Sequence, residues 1–269
     1  MSYVDINMSI AYTLMPAAVI VGVLMSMFLY FCGKAAIYGV PRTQRIEEKG
    51  GSVFLPKFFM EYWNWVIAPV QKVAVKVRVS PDLITLAGTI IAGSSGIAFF
   101  YGYFLLGGWL MIFGATFDML DGAVARALGI SSKAGAFLDS TLDRYGELIS
   151  FAGLVGYYAD SPFVFVVFAA VIGSSMVSYT RARAEGVGVD ARMGNMQRPE
   201  RMLYVGLGTA FAPIVAVIYE PAAVKPHFYL AMIAVTIVAI FSNATAYRRL
   251  WYTYSMLKAR ERADAAEGK

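Results

Sequence analysis

Residues 117–144 read FDMLDGAVARALGISSKAGAFLDSTLDR, and the stretch is organised by four acids: Asp118, Asp121, Asp139 and Asp143. Asp118 and Asp121 are three positions apart, Asp139 and Asp143 four apart. On helices both spacings put a pair of carboxylates on one face. Long apolar runs flank the stretch, so the acids lie at or inside a membrane boundary. Four uncompensated negative charges there would be very costly. Carboxylates from two facing helices suit one or two hard divalent cations such as Mg²⁺ or Mn²⁺. No Cys or His lies nearby, which argues against zinc or a thiolate-held metal. The stretch reads as a metal site.

The rest of the composition predicts an all-α, polytopic membrane bundle. The chain has 269 residues, 58% hydrophobic and 15% charged. Seven apolar segments reach spanning length: 10–32, 83–104, 106–128, 134–158, 163–180, 202–219 and 228–246. The second to fourth are interrupted by the acids themselves, which blurs their ends. Of the 23 Lys and Arg residues, only Lys225 falls outside the loops assigned to one side. The positive-inside rule then predicts an outer N-terminus, a cytoplasmic C-terminus and a cytoplasm-facing aspartate site in the cell membrane. The net charge of +5 reads as topology and attraction to anionic lipid, not as nucleic-acid binding. One cysteine, Cys32, excludes an intramolecular disulfide and reads as a small hydrophobe in the first span.

In chain order, residues 1–50 form an N-terminal anchor and cytoplasmic link, and the charged link, 33–56, includes Glu47-Glu48-Lys49-Gly50-Gly51. Residues 1–9 carry Asp5 and no basic residue, so the following apolar run lacks the flank of a cleaved leader. Residues 57–78 mix Phe58, Phe59, Tyr62, Trp63 and Trp65 with Lys72, Lys76 and Arg78, which suits a helix lying in the interface. Pro69 is expected to break or kink it. Ser80-Pro81 is a good helix start. The short link 129–133 makes the two aspartate helices antiparallel neighbours. Glu147 continues the Asp139–Asp143 face one turn deeper, as a second acid behind the metal or a simple hydrogen-bonding group. His227 reads as structural. Residues 51–251 thus hold the interfacial helix and a six-helix domain, and 252–269 a short cytoplasmic helix or frayed tail.

The full pattern, Asp118-x2-Asp121-Gly122-x2-Ala125-Arg126-x8-Gly135-x3-Asp139-x3-Asp143, resembles the signature of the CDP-alcohol phosphotransferases, integral membrane enzymes of phospholipid synthesis. Every fixed position is filled at the expected spacing. Gly122 and Ala125 leave one helix face bare for a base or diphosphate, and Arg126 can meet phosphate oxygens bidentately. The resemblance covers about residues 80–250. It implies a six-helix core and a CDP-lipid site that includes Asp82, Thr85, Gly122, Arg126 and Ser132. Asp82 stands where the family usually has Asn, and an acid sits less comfortably near a diphosphate.

Ser178-Tyr179-Thr180-Arg181-Ala182-Arg183-Ala184-Glu185, with Arg198-Pro199-Glu200-Arg201 further on, resembles the branch that makes phosphatidylinositol phosphate or its archaeal ether-lipid equivalent. By that resemblance Arg181, Arg201 and Arg249 bind the phosphate of an inositol phosphate acceptor. Arg181 stands where the branch often has Lys.

The implied reaction is transfer of the phosphatidyl group from CDP-diacylglycerol, or an archaeal CDP-lipid, with release of CMP. Asp118, Asp121, Asp139 and Asp143 hold Mg²⁺ or Mn²⁺, two ions by analogy. Asp143 doubles as general base. Relatives in the family form homodimers, but Gly88, Gly93 and Gly96 would equally serve packing within one subunit. Two rivals remain at this point. One is a different acceptor, such as glycerol phosphate or serine. The other is a cation- or proton-coupled transporter, because intramembrane acids also mark ion pathways.

Overall fold

The computed structural model describes residues 3–41, 56–221 and 223–266. The charged link at 47–51 lies outside them. Eight α-helices and no strand occur among the described residues: α1 (Tyr3–Tyr38), α2 (Lys57–Val77), α3 (Pro81–Phe100), α4 (Phe104–Ala127), α5 (Lys133–Tyr157), α6 (Val164–Gly186), α7 (Arg198–Tyr219) and α8 (Tyr229–Ala266). Six of them are long and apolar enough to cross a membrane: Ala18–Tyr38 within α1, then α3, α4, α6, α7 and α8. The chain is a multi-pass membrane protein. The exception among the seven predicted segments is α5, a 25-residue helix whose apolar average is lowered by Asp139, Asp143, Arg144 and Glu147.

Local chemistry sets the boundaries. Arg78 takes a left-handed cap at φ 56°, and Ser80 with Pro81 at the first position restarts the chain as α3. Gly129 at φ 69° ends α4. Ser132 Oγ accepts from Gly135 N at 3.0 Å and starts α5. Pro69 does not break α2, which runs unbroken from Lys57 to Val77. The aromatic residues of α2 also do more than sit at head-group depth. Tyr62 is buried and donates to Leu24 O at 2.7 Å, while Trp63 Nε1 donates to Thr116 Oγ1 at 3.2 Å. These contacts tie α2 to α1 and α4.

The packing corrects one expectation. Although α4 and α5 are joined by a short link, they meet each other only slightly, because α3 packs extensively against both. Its small residues permit this. A Cβ at Gly153 would collide with the backbone of Gly96, so α3 and α5 approach to backbone contact there. Gly88 lies against Phe117 of α4 and Gly93 against Ile149 of α5. These glycines therefore serve packing inside the subunit. The remaining helices form a second layer in which α7 joins α4 to α8, and α6 lies on α8.

The end opposite the aspartates is closed by an aromatic cluster. Phe104 stacks on Phe228 at 4.1 Å between centroids, with Tyr157 edge-on at 4.7 Å. Tyr157 and Tyr158 donate to Pro226 O and His227 O at 2.6 and 2.7 Å. His227 Nδ1 lies 2.9 Å from Glu220 Oε1, a partner in keeping with a structural role. At the aspartate end, α8 continues past its apolar part as one 38-residue helix, so residues 252–266 are neither separate nor frayed. Tyr252 and Leu257 anchor the extension against Ala184, Val189 and Ala191.

Candidate active site

Asp118 and Asp121 sit on the last turns of α4, and Asp139 faces them from α5. One carboxylate oxygen from each lies within 4.8 Å of the others. Thr85, from α3, donates to Asp121 Oδ2 at 2.6 Å and fixes that carboxylate from behind. An all-oxygen set of this kind suits a hard divalent cation, so the residues present fit the metal expected from the sequence.

Asp143 is not part of this trio. It lies beside it and is held by a residue the sequence reading had not assigned: Arg198, on the first turn of α7. Arg198 Nη1 is 2.5 Å from Asp143 Oδ2 and 3.0 Å from Asp118 Oδ2, with only 17% of its side chain exposed. One guanidinium thus bridges the two aspartate helices and supplies positive charge where four acids converge. Its Nε is buried with no hydrogen-bond partner.

One turn deeper, Arg201 grips Glu147. Nε reaches Oε1 at 2.6 Å and Nη2 reaches Oε2 at 2.8 Å, while Nη1 donates to Met196 O at 3.3 Å. This settles the role left open for Glu147: it is the buried counter-charge of Arg201. Arg249 is also enclosed, donating from Nε to Met193 O at 2.8 Å and from Nη1 to Val177 O at 2.7 Å. Arg181 is the accessible member, 41% exposed and paired with Glu185 at 3.0 Å. The charges of Arg181 and Arg201 both act on Arg249, so the fold brings the three arginines together. It leaves one of them reachable.

The expected CDP-lipid residues cluster at the same end. Arg126 is exposed and lines a cavity of about 1410 Å³ together with Asp118 and Arg198. The rest of that lining is chiefly apolar, drawn from α1, α2, α4, α7 and α8 and including Met119, Met202, Leu203 and Ile237. Gly122 is half-buried beside Asp121, whose Oδ1 accepts its N–H at 2.5 Å. Asp82 is exposed, and its Oδ1 lies 3.7 Å from where a Cβ at Gly135 would stand, next to the Ser132 cap. Thr85 sits behind the carboxylates, while Asp82 and Ser132 sit at the open rim. The sequence signal for Arg198 was its spacing, which shows a shared helix face but not the partner across it. The steps 198→201 on α7 and 143→147 on α5 are each one helical turn, so two charge pairs can stack.

Comparison with known proteins agrees with this geometry. Residues 78–253 match the CDP-alcohol phosphatidyltransferase family. The chain is 33% identical over 209 residues to the phosphatidylinositol phosphate synthase of Mycolicibacterium smegmatis, covering 75% of this chain and 89% of that one. It is 33% identical over 225 residues to the synthase of the same name from Streptomyces avermitilis, covering 80% and 88%. The crystal structure of Mycobacterium tuberculosis phosphatidylinositol phosphate synthase with CDP-DAG bound superposes with a TM-score of 0.60 at 29% identity, covering 69% of this chain and 92% of that one. The same synthase in complex with manganese and citrate superposes equally well, with a TM-score of 0.60. The signature aspartates, their convergence in space and these likenesses make one conclusion: the chain belongs to the CDP-alcohol phosphatidyltransferase family.

Proposed function

We infer that this enzyme transfers the phosphatidyl group of CDP-diacylglycerol, or of an ether-linked CDP-lipid, to the hydroxyl of a phosphorylated polyol, inositol phosphate first among them, and releases CMP. The observation that carries the reading is the carboxylate trio, whose Asp118 lines a large apolar cavity together with Arg126 and Arg198. A lipid diphosphate has that profile: a charged head at the rim and tails that stay in apolar surroundings. The printed names of the relatives, and the CDP-DAG bound to the solved neighbour, support the choice of donor and acceptor.

In this reading Asp118, Asp121 and Asp139, with Asp143 at their edge, hold two Mg²⁺ or Mn²⁺ ions. Such ions supply Lewis-acid stabilisation of charge on the diphosphate when bound. Thr85 orients Asp121 for that task. Arg126 binds diphosphate oxygens from the rim, and Gly122 leaves room on the helix face beneath them. Asp82 and Ser132 border the nucleotide. Asp143 accepts the proton of the acceptor hydroxyl and so makes it nucleophilic. Arg198, which pairs with Asp143 and Asp118, is placed to turn towards incoming phosphate. Arg181 meets the acceptor's own phosphate directly, buried Arg249 raises the positive potential around it, and Arg201, neutralised by Glu147, holds the α5–α7 seam behind it.

The charge distribution supports a cytoplasmic aspartate end and C-terminus, with the N-terminus outside, in the cell membrane. A homodimer belongs to the same reading. Its interface would lie away from Gly88, Gly93 and Gly96, which are engaged within the subunit.

The test is CMP release by the purified, detergent-solubilised protein with Mg²⁺ and CDP-diacylglycerol. Inositol phosphate, glycerol phosphate, serine and free inositol are offered separately. Release with inositol phosphate alone is expected. Release with another acceptor overturns the acceptor assignment and keeps the chemistry. No release from ester- or ether-linked CDP-lipid with any acceptor overturns the transfer reading itself.

A further inference from the structure

Helix α1 lies outside the region that matches the family, 78–253, yet it lies against the large cavity. The cavity's lower boundary explains why. At Gly108 a Cβ would collide with Ala210 N and Gly206 O, so α4 and α7 touch backbone to backbone there and close the space between them. Over that seam, Ile20, Val21 and Leu24 of α1 pack on Trp109, Ile112 and Ala210. Leu24 itself lines the cavity. Along α4 the lining runs from Arg126 at the mouth to Trp109, seventeen residues, or about 25 Å of helix rise. That is most of a bilayer's hydrocarbon thickness of about 30 Å. The cavity is therefore long, charged at its mouth and floored at its Trp109 end by α1.

The floor is fixed in place. Phe28 meets Tyr62 at 5.1 Å and Phe59 at 5.9 Å between ring centroids, and Phe31 meets Phe58, Tyr62 and Trp65 at 5.5, 5.5 and 5.7 Å. Tyr62 also donates to the backbone carbonyl of Leu24, so this anchor does not depend on the Leu24 side chain. Leu29, by contrast, lies on the outer side of α1 and is 65% exposed.

We propose that α1 is a selectivity element that sets the length of lipid tail the cavity accepts, with Leu24 as its contact point. This rests on the CDP-lipid reading above. The occupant follows from the chemistry of the two ends. Arg126 and Arg198 at the mouth complement a diphosphate, and the apolar shaft between them and Trp109 complements an acyl or isoprenoid tail. Bulk added at Leu24 shortens the shaft; bulk removed lengthens it.

The experiment is a competition in one vessel. The full-length protein receives equimolar dioctanoyl and dioleoyl CDP-diacylglycerol with the acceptor, and mass spectrometry reads the ratio of the two products. Because the ratio is internal to each reaction, it does not depend on how much of a variant folds. Leu24→Trp is expected to move the ratio towards the short-chain product by about tenfold, the lower end of what a methylene-sized change in an apolar pocket does. Leu24→Ala is expected to move it the other way, and Leu29→Trp to leave it at the wild-type value. A wild-type ratio in both Leu24 variants overturns the proposal, as does an equal shift in Leu29→Trp. No product from either lipid with the wild-type chain defeats the CDP-lipid reading instead, and the role of α1 falls with it.

Discussion

Arg201 and Glu147 form a two-armed ion pair, with N–O distances of 2.6 and 2.8 Å, at positions that are 0% and 3% exposed. Above it, Arg198 spans Asp143 and Asp118 at the rim of the same α5–α7 seam. The deeper pair is sealed and serves the fold. The upper one opens on the cavity and serves the chemistry.

Breaking the deeper pair leaves one charge buried and alone, which costs about 3–5 kcal/mol. Glu147→Gln and Arg201→Met should each lower the thermal midpoint in detergent, and the double variant should recover part of the loss. If Arg201→Met kept the midpoint and raised only the KM for inositol phosphate, a direct phosphate contact would be the better account of this arginine.

Arg198 neutralises acids that the metal also neutralises, so the two should compete. Arg198→Gln is expected to destabilise the metal-free protein and to enlarge the stabilisation produced by added Mg²⁺ or Mn²⁺. Thermal unfolding across a metal titration reads this without turnover. An unchanged metal-induced shift would falsify the competition.

Thr85 holds Asp121 at 2.6 Å. Removing the hydroxyl in Thr85→Val should weaken metal affinity about 10–100-fold, as is usual when a ligand loses its supporting hydrogen bond. The metal dependence of CMP release measures this, and Thr85→Ser should restore most of it.

Asp143→Asn keeps the shape of the side chain and removes the base. CMP release should fall by about 10²–10⁴-fold, the usual contribution of a positioned proton acceptor. The fold should persist, because Arg198 still has Asp118 as a partner. Near-wild-type turnover would remove Asp143 from the role of base.

The tight α3–α5 contact should be intolerant of side chains. Gly153→Leu forces these helices apart at Gly96 and is expected to abolish a cooperative thermal transition. Gly33→Leu, at a position with open space around it, should leave the transition in place.

Much of this molecule was legible in the chain. Apolar runs marked seven of the eight helices among the described residues, because a helix in lipid must satisfy its backbone internally and so needs a nearly continuous apolar sequence. The four aspartates and their spacing gave the metal site and the family, since ligands carried on two helices joined by a short link are local information. What the sequence left open was which charge meets which. Arg181, Arg201 and Arg249 looked equivalent as three arginines near helix ends. Only packing separates an exposed Arg181 from an Arg201 locked to Glu147 and an Arg249 locked to the carbonyls of Val177 and Met193. Likewise, the short link between α4 and α5 made them look like direct neighbours, whereas α3 fills the space beside both because its glycines admit backbone contact. The sequence by itself therefore determined the helices, the acid cluster and the family, all of which rest on residues close together in the chain. The tertiary structure decided the partners of Arg198 and Glu147 and the place of α1 over the cavity floor. Those contacts join residues more than fifty positions apart, and a long-range pairing is fixed by shape and burial, not by spacing.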